Sequence, residues 1–197
     1  MIRAAARRSV GTRAAENARP LLAIAGLAAL ALGIEVTRTL VERLPGLALP
    51  ALLLGGLALC ALAIGWSPAQ LGLGFDRLPG RVLGGCALGV VLLLPAAVRW
   101  QGGPQLGVPW SIAAIAVSIG EEVAFRGVLF RALEARFGGF WAIAGTTVLW
   151  TAAHVLGHPP AFLPPVAAAG LLLALWRWRF RDLVGPIIAH VAADLAL

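Results

Sequence analysis

Three short groups of polar residues could carry chemistry in this chain. In ISIGEEVAFRGVLF, Glu121 and Glu122 stand side by side, and Arg126 follows Glu122 by four. In LWTAAHV, His154 follows Trp150 by four; in PIIAHVAAD, Asp194 follows His190 by four. Residues four apart share a helix face, so each segment presents a short polar or aromatic stripe to one place. Glu121 is turned roughly 100° around the helix from Glu122. A carboxylate with two imidazoles can deprotonate water and then pass the proton to a leaving amine, which is hydrolytic chemistry. The same Glu121, His154 and His190 make an ordinary zinc set with an open fourth position, so metal-dependent and metal-free mechanisms both stand. Arg126 can hold Glu122 in place. Asp194 can orient His190, or donate on the oxyanion side if it carries a proton.

Taken singly, each feature has an ordinary explanation. Glu122 with Arg126 reads as a structural ion pair, a lone membrane His as a helix-bonding residue, Trp150 as packing, and His190 with Asp194 as a capping contact near the chain end. His158, beside Pro159 and Pro160, reads as a loop residue. The joint occurrence argues for function. An ionisable residue near the centre of a membrane helix costs roughly 3 kcal/mol on insertion scales. Glu121, Glu122, Arg126, His154, His190 and Asp194 all fall within the last four apolar stretches.

The elements that must position these residues are membrane helices. Of the 197 residues 60% are hydrophobic and only 13% charged, with a mean hydropathy of +0.89; a soluble domain carries about 25% charged residues. Apolar stretches at about 21–37, 47–66, 82–98, 109–130, 139–157, 161–176 and 183–197 suit helices crossing a hydrocarbon core of about 30 Å. The alternation of a membrane barrel is absent. The fold class expected is therefore all-α, a polytopic transmembrane helix bundle of about seven spans. Pro95 and the pair Pro164-Pro165 are tolerable inside such helices, and the many Gly and Ala residues allow close helix packing.

Net charge is +7, yet the Arg residues sit at the ends of apolar stretches and form no single patch, so a nucleic-acid partner is not expected. Thirteen of the sixteen basic residues, all Arg, fall on one side of the predicted crossings. These are Arg3, Arg7, Arg8, Arg13 and Arg19, then Arg77 and Arg81, then Arg126, Arg131 and Arg136, then Arg177, Arg179 and Arg181. Arg38, Arg43 and Arg99 fall on the other. The bias predicts a cytoplasmic N-terminus and an external C-terminus, in a bacterial inner (cytoplasmic) membrane. Residues 1–20 read as a basic cytoplasmic segment, 21–108 as accessory transmembrane helices and 109–197 as the catalytic core. Cys60 and Cys86 stand alone in apolar stretches without metal-like spacing.

The three groups together resemble the signature of the CAAX protease and bacteriocin-processing enzymes, also called the abortive-infection family of intramembrane proteases: EExxxR, then FxxxH, then HxxxN or HxxxD. Glu121, Glu122 and Arg126 match the first motif. His154 matches the second with Trp150 in place of Phe, and His190 with Asp194 matches the Asp variant of the third. The resemblance covers roughly 109–197. It implies that Glu121 is the general base that activates water, with His154 as its partner. It also implies that His190 and Asp194 stabilise the oxyanion while Glu122 and Arg126 support. Zinc and metal-free glutamate mechanisms are both implied for such a family. Implied partners are membrane lipid and a membrane-anchored or lipidated peptide or protein tail. The other intramembrane protease types fit worse: there is no HExxH, no GxGD, and no GxSG around Ser67, Ser111 or Ser118.

A second class stays in view. Buried Glu, Arg and His also build proton relays, so a carrier or a non-enzymatic immunity factor is the alternative. A relay spreads its groups along the membrane normal, whereas a protease gathers them around one water. Straight spans pose a geometric difficulty for the latter. They place Glu121 about 18 Å from the outer end of its helix and His154 about 5 Å from the end of its own, a mismatch of about 13 Å.

Overall fold

The computed structural model describes residues 2–74, 76–97 and 106–196, and the side chains of 20–74, 76–94 and 106–196. Arg99 and the side chains of the basic N-terminal segment lie outside these. Among the described residues every regular element is helical and no strand occurs. The order is α1 (Ile2–Val41), α2 (Ala48–Ala61), α3 (Pro68–Leu71), α4 (Leu78–Ala97), α5 (Val108–Glu121), a π-helical stretch (Glu122–Leu129), α6 (Phe130–Phe137), α7 (Gly139–Ala153), a 3-10 turn (Pro160–Phe162), α8 (Leu163–Phe180) and α9 (Val184–Ala196).

Pro20–Val41 and Pro160–Phe180 are long and apolar enough to cross a membrane, with mean hydropathies of 1.9 and 1.4. Ala48–Ala61, Leu78–Leu94 and Val184–Ala196 are apolar but shorter. At 1.5 Å per residue the shortest spans only about 20 Å, less than a 30 Å core. Length and hydropathy thus pick out two crossings where seven stretches are predicted. The bundle surface is nonetheless greasy: Leu22, Leu54, Leu83, Val108, Phe140 and Val148 are all well exposed. Apolar exposure on that scale marks a surface that meets something other than water, and the chain is an integral membrane protein.

The helix carrying the two glutamates is the axis of the bundle. α5, the π-helical stretch and α6 run on without a break until Gly138, whose φ of 85° is open to glycine and lets α7 turn back. Buried Phe125 and Leu129 pack there against Ala31 of α1, Leu59 of α2, Trp150 of α7 and Val166 of α8. α2 lies so close that a Cβ at Gly120 would collide with the Gly56 carbonyl and a Cβ at Gly56 with that of Ala116. Small residues that let helix backbones touch are the usual means of association in lipid.

The bundle has two distinct ends. At one, α1 and α7 finish together: Arg43 donates to the Leu156 carbonyl, and Gly157 sits beside Thr39. At the other, Arg177 Nη2 donates to the Gln70 carbonyl at 3.2 Å and Leu183 N to the Gly72 carbonyl at 3.0 Å. Asp182 starts α9 there by accepting from Val184 N and Gly185 N, both at 3.0 Å, the usual work of an N-cap carboxylate. Several helix ends differ from the predicted stretches. α7 stops at Ala153 instead of 157, ahead of Gly157 and the Pro159-Pro160 pair, which cannot continue a helix. α8 runs four residues past 176, because Arg177 and Arg179 sit well in a last helical turn.

Candidate active site

Glu121 and Glu122 are both buried, and they face different partners. Glu121 looks toward α7 and α1. Trp150 Nε1 donates to its Oε2 at 2.6 Å, and His154 Nε2 stands 4.0 Å from that same oxygen. On the other side of the carboxylate, Arg38 Nη2 lies 3.5 Å from Oε1. His154 Nδ1 is 2.8 Å from the Trp150 carbonyl. A carbonyl only accepts, so Nδ1 carries the hydrogen and a neutral His154 turns its Nε2 lone pair toward Glu121. The 4.0 Å gap is too long for a direct hydrogen bond. One water at about 2.8 Å from each atom would bridge it.

Glu122 looks toward α8 and α9. Its Oε1 accepts from Arg126 Nη1 at 2.9 Å and faces His190 Nδ1 at 2.9 Å. Arg126 is fully buried; its Nη2 donates to the Gly170 carbonyl at 3.3 Å, and its guanidinium lies 4.2 Å above the Trp150 ring. Gly170 makes the room, since a Cβ there would stand 2.7 Å from the Trp150 ring and 3.2 Å from Arg126 Nη2. His190 Nε2 faces Asp194 Oδ2 at 3.6 Å. Ser118 Oγ is 2.7 Å from Asp194 Oδ2 and 2.8 Å from the Ala114 carbonyl. One hydroxyl proton serves both contacts only as a shared donor; otherwise a proton on Asp194 supplies the second. The π-helical stretch begins at Glu122 itself. Such widened turns are frequent at functional sites, and here the turn accompanies the parting of two adjacent carboxylates.

Trp150 joins the two sides. Its ring packs edge-on against His154 at 4.6 Å and against His190 at 5.5 Å, centroid to centroid. All six predicted site residues therefore belong to one cluster, but as two groups: Glu121 with His154, and Glu122 with Arg126, His190 and Asp194. A cavity of about 210 Å³, lined by Arg38, Thr39, Glu42, His154 and His158 among others, opens at the end where α1 and α7 finish. Its His158 stacks on His154 and Phe162. Burial, with His154 and Arg38 nearby, lowers the pKa of the His158 imidazole. Glu122 Oε2 and Arg126 Nε are buried with no hydrogen-bond partner among the described residues, polar atoms that call for a further partner in the cluster.

The donor set does not suit zinc as it stands. His190 has Glu122 Oε1 2.9 Å from Nδ1 and Asp194 Oδ2 3.6 Å from Nε2. Glu121 has a guanidinium at one oxygen and an indole N–H at the other. Among the described residues no group of three or more His, Cys, Asp or Glu is placed to hold a metal ion.

Two features escaped the sequence reading. Trp150, expected only to pack, is a hydrogen-bond donor to Glu121 that a Phe could not replace. Glu35 and Arg38 of α1, counted respectively as part of an apolar stretch and as an external Arg, reach the site. The signal was available: Glu35 interrupts an apolar helix with Arg38 three residues on and Glu42 seven on, the same costly pattern that singled out Glu122 and Arg126. The expected 13 Å mismatch also resolves. Helix ends are not level in this bundle, and the amino-terminal part of α5 runs past the point where α7 stops, so His154 reaches Glu121 from the helix terminus.

No curated protein and no solved structure matches the chain. Residues 103–196, just under half the chain and the part holding both glutamates and both histidines of the cluster, match the family model described as type II CAAX prenyl endopeptidase, Rce1-like. Over that region the chain is similar to the Rce1-like CAAX endopeptidase family.

Proposed function

We propose that the protein is an intramembrane endopeptidase in which Glu121 and His154 activate a water molecule without a metal. The observation that carries this reading is the 4.0 Å separation of Glu121 Oε2 and His154 Nε2, with His154 Nδ1 already committed to the Trp150 carbonyl. Glu121 takes a proton from the water, and the hydroxide adds to the carbonyl carbon of the scissile peptide. His190 donates from Nδ1 to Glu122, and as an imidazolium it also donates from Nε2, beside Asp194, to the developing oxyanion. Collapse of the tetrahedral species breaks the C–N bond, and the proton from water leaves on the amine. Glu122 and Arg126 hold His190 and Trp150 where they stand.

The same reading gives seven crossings, N-terminus inside a bacterial cytoplasmic membrane, with 109–197 as the catalytic core behind the accessory helices of 21–108. The cavity beside His154 opens at the end of the bundle opposite the Arg-rich one, where Arg131, Arg177 and Arg181 gather. With the N-terminus inside, that opening faces out of the cell. The substrate is then a membrane-proximal or lipidated tail reached from the external side; a prenylated Cys-a-a-X tail is the class that the family name supplies. The carrier alternative is disfavoured by convergence, since Trp150 touches both histidines and Glu121.

The test is cleavage by the purified protein in proteoliposomes, offered a farnesylated Cys-a-a-X peptide and single-span peptides with an external tail. We expect hydrolysis of at least one probe that persists in a strong zinc chelator. Loss of activity on chelation, restored by zinc, would replace the metal-free mechanism. Inactivity on every probe, with proton-coupled solute uptake instead, would favour the carrier.

A further inference from the structure

α1 lies outside residues 103–196, the part matched to the family, yet it brings two charges into the interior. Glu35 is fully buried and Arg38 partly so. Arg38 Nη2 and Nε reach Glu35 Oε2 at 2.6 and 3.1 Å. Its Nη1 reaches Glu42 Oε2 at 3.3 Å, and Nη2 also stands 3.5 Å from Glu121 Oε1. One guanidinium thus faces three carboxylates, two on its own helix and one on α5.

The surroundings are shaped to this side chain. A Cβ at Gly55 of α2 would lie 2.7 Å from Arg38 Cδ, so α2 carries no side chain where the arginine stem passes. A buried pair is weak evidence for stability in itself, because burying charge is costly and an apolar pair packs at least as well. A clamp that only fastened α1 to the bundle would also have no need to aim at Glu121. A planar fork fixes the direction of its donors, which a flexible ammonium does not.

We propose that Arg38, itself held by Glu35, is a positioning residue for the Glu121 carboxylate. Arg38 engages Oε1 while Trp150 engages Oε2. Between them they fix the plane of the carboxylate so that Oε2 keeps its second lone pair toward His154. The helix read as accessory therefore completes the reacting group. The inference deepens the proteolytic reading and rests on Glu121 as its base, but the placement of Glu121 can be probed without a substrate.

The experiment compares the native protein with Arg38→Gln, Arg38→Lys and the double variant Glu35→Gln/Arg38→Gln. Size exclusion in detergent selects folded material. The double variant leaves no unpaired Glu35, so it supplies folded protein if Arg38→Gln alone does not. Two readouts follow: labelling of Glu121 by dicyclohexylcarbodiimide, mapped by peptide mass spectrometry, and kcat and KM on whichever probe peptide the native protein cleaves. Expected are a severalfold rise in Glu121 labelling in Arg38→Gln and a fall in kcat of up to about 10²-fold, the size of effect that misplacing a reacting group can have. KM should stay near native, Arg38→Lys should recover part of kcat, and Arg38→Gln should add nothing in a Glu121→Gln background. Folded variants with native labelling and native kcat overturn the inference and leave the proteolytic reading intact. So does a change confined to KM, which would make Arg38 a substrate contact. If the native protein cleaves no probe, the proteolytic reading fails, and the labelling still decides whether Arg38 governs Glu121.

Discussion

The two glutamates are neighbours in sequence and opposites in surroundings. Glu122 has two partners at hydrogen-bond distance on one oxygen, since Arg126 and His190 each stand 2.9 Å from its Oε1. Glu121 accepts from Trp150 on one flank and has the Arg38 guanidinium 3.5 Å away on the other, and its third neighbour, His154, stops at 4.0 Å. A carboxylate clasped by a guanidinium and an imidazole is suited to holding a shape. One held in place but left a gap of one water is suited to acting on that water. The difference shows how a doubled acidic residue can divide labour: the turn widens at the second glutamate, and the two carboxylates part toward different helices.

Breaking the enclosed side should have the largest effect on folding. Arg126→Ala leaves Glu122 buried and facing only His190, and removing one member of such a pair commonly costs about 3–5 kcal/mol. Thermal unfolding in detergent should show a large drop in Tm and poor recovery of folded protein. An Arg126→Ala protein as stable as native would mean that the two sides do not differ in kind.

Trp150→Phe sharpens the comparison from the other side. It restores the aromatic residue of the family signature and keeps most of the packing, but removes the donor to Glu121. An unmet hydrogen bond to a buried group costs about 1–3 kcal/mol. The expected result is a drop in kcat by roughly tenfold or more, about 1.4 kcal/mol per factor of ten, with a smaller change in Tm. The smallest effect is expected from Asp194→Asn. An amide keeps a contact with Ser118 and offers a donor beside His190, so kcat should change by less than about tenfold, under about 1.4 kcal/mol. A total loss of activity in Asp194→Asn would assign proton transfer to Asp194 and blur the division between the two sides.

Much of this arrangement was legible in the sequence because its rules are local. The four-residue spacings place Glu122 by Arg126 and Trp150 by His154, and the cost of charge in lipid marks those helices as polar on one face. What spacing could not supply is which face meets which helix. The π-helical turn that parts Glu121 from Glu122 has no simple sequence mark, and a periodic reading assumes regular helix throughout. The depth of His154 depended on where α7 stops, which Gly157 and Pro159 settle only once the packing is known. Glu35 and Arg38 were missed for another reason. Hydropathy ends the first apolar stretch at about residue 37, between Glu35 and Arg38, and so separates the two members of the pair.

The most direct test sets Glu121→Gln beside Glu122→Gln, measuring the folded fraction by size exclusion and the single-turnover cleavage rate on the same probe. Glu121→Gln keeps the size and most of the hydrogen bonding of the side chain and removes the base, so it should fold normally and cleave roughly 10²–10⁴-fold more slowly. Glu122→Gln should lose folded protein first, and whatever remains folded should retain far more activity than Glu121→Gln. A folded Glu121→Gln protein that cleaves at the native rate would contradict the account.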